Sequence, residues 1–107
     1  MIHTAFLTTP SGALMGFSMQ GHSGYGEENT DIVCAAVSSA AYLTVNTVTD
    51  VLHVTPLSLR VGDGEMFFRI EQKDEPACRD LLAGLKLHLV QLEEQYSGYL
   101  KVEYLEI

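Results

Sequence analysis

Positive charge is scarce in this chain. Its 107 residues hold 6 Lys and Arg against 14 Asp and Glu, a net charge of −8. Binding nucleic acid through the chain's own surface needs clustered basic side chains to neutralise phosphates. The six here are scattered, so no direct nucleic-acid partner is expected. Cysteine is scarcer still: Cys34 and Cys78 stand alone, with no Cys-x-x-Cys spacing. That gives little support to a disulfide and less to a zinc framework, and reduced thiols in a cytoplasmic compartment become the default. Residues 21–26 are glycine-rich, but no Lys-Ser/Thr follows them, which excludes a phosphate loop. Residues 1–7 lack the basic region and cleavage site of a secretory signal. Residues 32–48 carry no charged side chain, yet Ser38, Ser39, Thr44, Asn46 and Thr47 interrupt them. The run is short for a membrane span, so a buried core helix, and no membrane partner, is the expectation.

What is present is enough for one modest core: 47% of the residues are hydrophobic, and residues 1–107 are expected to form a single domain. Residues 2–8 and 13–20 read as two strands around the turn Thr9-Pro10-Ser11-Gly12. A long helix follows from about residue 32 to about residue 52, apolar nearly all round, which predicts burial on more than one side. Tyr42, Val45, Val48 and Leu52 suit one layer, and Val33, Val37, Ala40 and Ala41 another. Alternation over 57–61 and 66–70 around Gly62-Asp63-Gly64 predicts a second hairpin. Asp74-Glu75-Pro76 opens a second helix with the stripe Cys78, Leu81, Leu82, Leu85, Leu89, Leu92 and Tyr96. A final strand over 100–104 completes the order ββαββαβ. The fold class is α+β: a two-layer sandwich of an antiparallel sheet and two helices.

The chemistry concentrates where the first hairpin meets the first helix. Asp31 is a good N-cap, which puts Cys34 at the third helical position. Helix N-termini favour anions, and a thiolate is the nucleophilic form of cysteine. His22 lies in the glycine-rich loop just before and can supply a base if that loop folds back over the helix start. The amides of the first helical turn are candidate oxyanion donors. Ser38 follows Cys34 by one turn on the same face. Gly21, Gly24 and Gly26 suit a flap that closes over a peptide. Each residue also has a plainer role open to it: Cys34 as a small buried hydrophobe, His22 as an exposed loop residue, Asp31 as a cap alone, Ser38 as a helix contact and the glycines as turn residues. Cys78 belongs to the second helix's core stripe.

The pattern Gly21-His22, a short loop with Gly and Glu, then Asp31-Ile32-Val33-Cys34-Ala35 and Ser38 resembles the ribosomal-processing cysteine protease family, Prp. The likeness extends to the initial hairpin, to Val45-Asn46 in the long helix and to Glu93-Glu94-Gln95-Tyr96. It implies a cysteine endopeptidase that removes the N-terminal extension of a large-subunit ribosomal protein precursor. Cys34 would be the nucleophile and His22 the general base, with Asp31, Ser38 and Gly21 in supporting or substrate-binding roles. It further implies a cytoplasmic homodimer without metal or cofactor, and a mobile loop between His22 and Cys34. The competing expectation is a non-catalytic ribosome-assembly or peptide-binding module, which would hold the peptide without turnover.

Overall fold

The computed structural model describes residues 1–27 and 30–107. Strands β1 (Ile2–Thr8) and β2 (Leu14–Gln20) form the first hairpin, and α1 (Ile32–Asn46) follows the loop. A π-helical turn (Thr47–Val51) extends α1, and β3 (Ser58–Gly62) and β4 (Glu65–Arg69) form the second hairpin. A 3-10 turn (Gln72–Asp74) leads into α2 (Glu75–Gln95), and β5 (Leu100–Glu106) ends the chain. The element order is the expected ββαββαβ in an α+β two-layer arrangement.

The five strands lie in the order β3-β4-β2-β1-β5. Three pairings are antiparallel, the two hairpins and β2 with β4, but β1 and β5 run parallel, from Ile2 opposite Leu100 to Thr8 opposite Glu106. The sheet is therefore mixed. The physical reason is α2: it carries the chain back along the sheet, so β5 enters in the same direction as β1. Glu93 on α2 fixes this return by accepting the Val102 amide at 2.6 Å.

Strand periodicity places Phe6, Phe17 and Phe68 side by side across three strands on the helix-facing side. All three are fully buried, with ring centroids 6.4 and 5.6 Å apart along the row. From α2, Cys78, Leu82, Leu85 and Leu89 are buried at a 3–4 residue spacing. Asp74 makes no capping bond to α2 and instead pairs with Lys73. Within the first turn Arg79 donates to Glu75 at 2.6 and 2.9 Å.

In α1, Val33, Val37, Ala41, Thr44 and Val45 are buried. Ile32, Tyr42, Leu43 and Leu52 remain exposed, so the helix is covered on one face and not on several. The two-sided burial expected from its composition is not met, because composition does not say where partners lie. With its π turn the helix is a 20-residue apolar segment, Ile32–Val51, long enough by length and composition to cross a membrane. It is longer than its uncharged run suggested, and a third of it is buried in this fold. Hydroxyls of Thr44, Thr47 and Thr49 donate to carbonyls four residues back, at 2.9, 2.7 and 3.1 Å. Such bonds compete with the helix ladder, and the ladder here loosens into the π turn. The segment ends at His53, whose φ of +55° lets the Val54 amide reach back to the Val48 carbonyl at 2.9 Å.

Candidate active site

Asp31 is the centre of the local hydrogen bonding. Its backbone is extended (φ −76°, ψ 107°), which aims the carboxylate back over the first turn of α1. Oδ1 accepts from the Val33 and Cys34 amides at 2.9 and 3.0 Å. Oδ2 accepts from the Ser23 hydroxyl and from the Tyr25 and Gly26 amides at 3.1 and 3.3 Å. One carboxylate thus caps the helix and fastens the preceding loop to it. Burial pushes the Asp31 carboxyl up, but donors from Ser23, Cys34, Gly26 and Val33 outweigh that and bring it from 3.8 to about 2. The cap expected from sequence is present, and it reaches further than a cap needs to.

Cys34 stands in the first turn of α1, partly buried, with a free thiol. Its Sγ accepts the Ser23 amide at 3.3 Å. A backbone donor thus faces this sulfur, at the start of a helix whose positive end the Asp31 carboxylate already caps. The amides of the first turn, expected to hold an oxyanion, are already engaged. Those of Val33 and Cys34 donate to the Asp31 carboxylate, and that of Ala35 donates to the Asp31 carbonyl at 3.0 Å. The cap has taken the donors.

His22 is delivered by the end of β2. Gly21 before it has φ +97°, and a Cβ there would sit 2.6 Å from the Met1 carbonyl oxygen, so only glycine fits. The Gly21 amide donates to the Gly64 carbonyl at 2.8 Å, tying the loop's root to the β3–β4 turn. His22 and Cys34 line the same cleft of about 300 Å³. Among the described residues no hydrogen bond joins the imidazole to Sγ; the ring rests over Gly64. Gly21 and Ser38 also line the cleft, whereas Asp31 does not. The cleft floor is apolar, with Met19, Val37, Ala41 and Met66. Its rim carries Asp63 and Glu65, and among the described residues no Lys or Arg borders it.

Three contributions were not visible in the sequence. Ser23 touches both Asp31 and Cys34. The turn Gly62-Asp63-Gly64 was legible only as a turn, yet it forms a wall of the cleft. Tyr25 packs edge-on against Tyr96 and Tyr99, with centroids 5.4 and 5.1 Å away, and pins the loop to the end of α2. None of these pairs has a sequence period that would announce it. Glu28 and Asn29, in the loop expected to be mobile, lie outside the described residues. Cys78 is fully buried in α2's core stripe, as expected.

The family model described as cysteine protease Prp matches residues 1–101. The chain belongs to the Prp cysteine protease family. It is therefore a peptide-bond hydrolase. The ribosomal processing cysteine protease Prp of Bacillus subtilis (strain 168) is 28% identical over 108 residues, covering 95% of this chain and 96% of that one. The Staphylococcus aureus protein of the same name is 24% identical over 105 residues, covering 97% and 99%. Among solved structures, S. aureus Prp with a covalently linked product peptide superposes with a TM-score of 0.89 at 24% identity, over 98% of this chain and 100% of that one. SMU.848 from Streptococcus mutans gives a TM-score of 0.80 at 28% identity, over 100% and 96%. The Prp fold thus extends over nearly the whole chain.

Proposed function

We propose that residues 1–107 form one Prp protease domain with Cys34 as nucleophile and His22 as general base. Its substrate is the N-terminal extension of a large-subunit ribosomal protein precursor. One observation supports the assignment of roles: His22 and Cys34 line the same cleft, with Cys34 in the first turn of a helix. His22 takes the Cys34 proton and the thiolate adds to the scissile carbonyl carbon. The tetrahedral intermediate collapses, the leaving amine takes the proton from His22, and a thioester remains. Water, giving a proton to His22, then cleaves the thioester to release the carboxylate and restore the thiol. The Ser23 amide, aimed at the sulfur, favours the thiolate that His22 generates. Asp31 holds the helix start and the loop together, and Ser38 and Gly21 line the cleft that would take the peptide. No metal or cofactor enters this reaction.

The curated relatives, named as ribosomal processing proteases, support a ribosomal substrate. It also fits the charge of the cleft, since the Asp63 and Glu65 carboxylates suit a basic ribosomal protein. The reading includes a cytoplasmic homodimer without direct nucleic-acid or membrane contact. The exposed Ile32, Tyr42 and Leu43 of α1 offer a second copy an apolar face. The test is incubation of the purified protein with an extended ribosomal precursor, beside Cys34→Ala and His22→Ala. Cleavage by the parent and none by Cys34→Ala is the expected result. Undiminished cleavage by Cys34→Ala removes the mechanism.

A further inference from the structure

We infer that Gly64 is the seat of the catalytic imidazole: a positioning residue whose missing side chain is the space the His22 ring occupies. The inference rests on the reading of His22 as general base and adds to it how the ring is held. A Cβ on Gly64 would lie 2.8 Å from His22 Nε2, 3.2 Å from Cε1 and 3.5 Å from Cδ2. The Nε2 end of the ring therefore fills the volume that any other residue would claim. The same glycine holds the base from a second direction, because its carbonyl accepts the Gly21 amide at 2.8 Å. One residue of the β3–β4 turn thus fixes both the backbone root and the ring tip of His22. His22 is exposed and, among the described residues, neither ring nitrogen has a hydrogen-bond partner, so the ring is held by no polar bond of its own and the Gly64 contact bears directly on where it sits.

Gly64 also has φ +69°, so a substitution there strains the turn as well as displacing the ring. The two effects separate. Asparagine tolerates the left-handed conformation yet still carries a Cβ. Gly12, at φ +89° in the β1–β2 turn with nothing within 4 Å, supplies strain without a displaced neighbour. Moving a reacting group by about 1 Å can cost about a hundredfold in rate. Gly64→Asn and Gly64→Ala are therefore expected to lower kcat roughly ten- to a hundredfold with KM changed by less than about threefold. The pH dependence of Cys34 alkylation in these variants should move to that of His22→Ala. Gly12→Ala should lower Tm and leave kcat and that pH dependence as in the parent.

Gly64→Asn with the parent's kcat and pH dependence would overturn the inference. A His22→Ala variant that retains full activity would instead remove the general-base reading. An inactive His22→Ala beside a fully active Gly64→Asn removes the seat alone. A measurement on the unaltered protein guards against variants that do not fold. Proton NMR should show cross-relaxation between the His22 ring protons and the Gly64 Hα protons, and its absence also overturns the inference.

Discussion

The Ser23 amide donates to Cys34 Sγ at 3.3 Å while the Ser23 hydroxyl donates to the Asp31 carboxylate. One buried loop residue therefore holds the sulfur with its backbone and the helix cap with its side chain. Ser23→Ala keeps the amide and removes the hydroxyl. A lost hydrogen bond to a charged group costs about 1.5–3 kcal/mol. Urea unfolding should show a loss in that range, together with a reduced kcat as the Ser23 amide loosens from the sulfur. A variant as stable and as active as the parent would mean that the hydroxyl holds nothing.

Asp31 sets an acid limit. Its carboxyl is held at about 2 in the fold against an ordinary 3.8. A depressed folded value means that its stabilisation is fully present above 3.8 and is lost as pH falls from there through about 2. Asp31→Asn retains an oxygen for the cap but does not titrate. Its unfolding free energy should therefore be flatter than the parent's across that interval. Asp31→Ala should lose about 0.5–2 kcal/mol through the cap alone, and more through the freed loop. Thermal unfolding over a pH series checks both.

The two thiols should differ sharply in alkylation. Cys34 is partly exposed in the cleft, whereas Cys78 is fully buried. Burial pushes the Cys78 thiol up, and the Asp74 and Glu75 charges add to that. At neutral pH iodoacetamide should label Cys34 at least about tenfold faster than Cys78, as read by peptide mass spectrometry. Equal rates would contradict the burial of Cys78.

The acidic rim should act on substrate capture. Asp63→Lys or Glu65→Lys should raise KM for a lysine-bearing peptide about three- to tenfold, with kcat nearly unchanged. The difference should shrink as salt rises, because rim charges are screened. An effect that persists at high salt would assign these positions to shape instead of charge.

Tyr25 should help hold Gly26 in place. Its two edge-on contacts with Tyr96 and Tyr99 are each worth about 0.5–1.5 kcal/mol. Tyr25→Ala should speed amide exchange at Gly26 while leaving the protection of β1 and β2 unchanged. Unchanged exchange at Gly26 would show that the Asp31 bonds suffice on their own.

The sequence by itself determined the parts governed by neighbours along the chain. The Asp31 cap, the position of Cys34 in the first turn of α1, the two hairpins and the core stripe of α2 all depend on residues within a few positions of one another. Backbone geometry and alternation make such features local, and so legible. Tertiary structure alone decided the rest. It set β5 parallel to β1, left Tyr42 and Leu43 uncovered, and brought Gly64 beneath His22 and Tyr25 against Tyr96 and Tyr99. These partners are tens of residues apart, and which of them meet depends on how the sheet and helices pack as a whole. No period in the sequence records that choice.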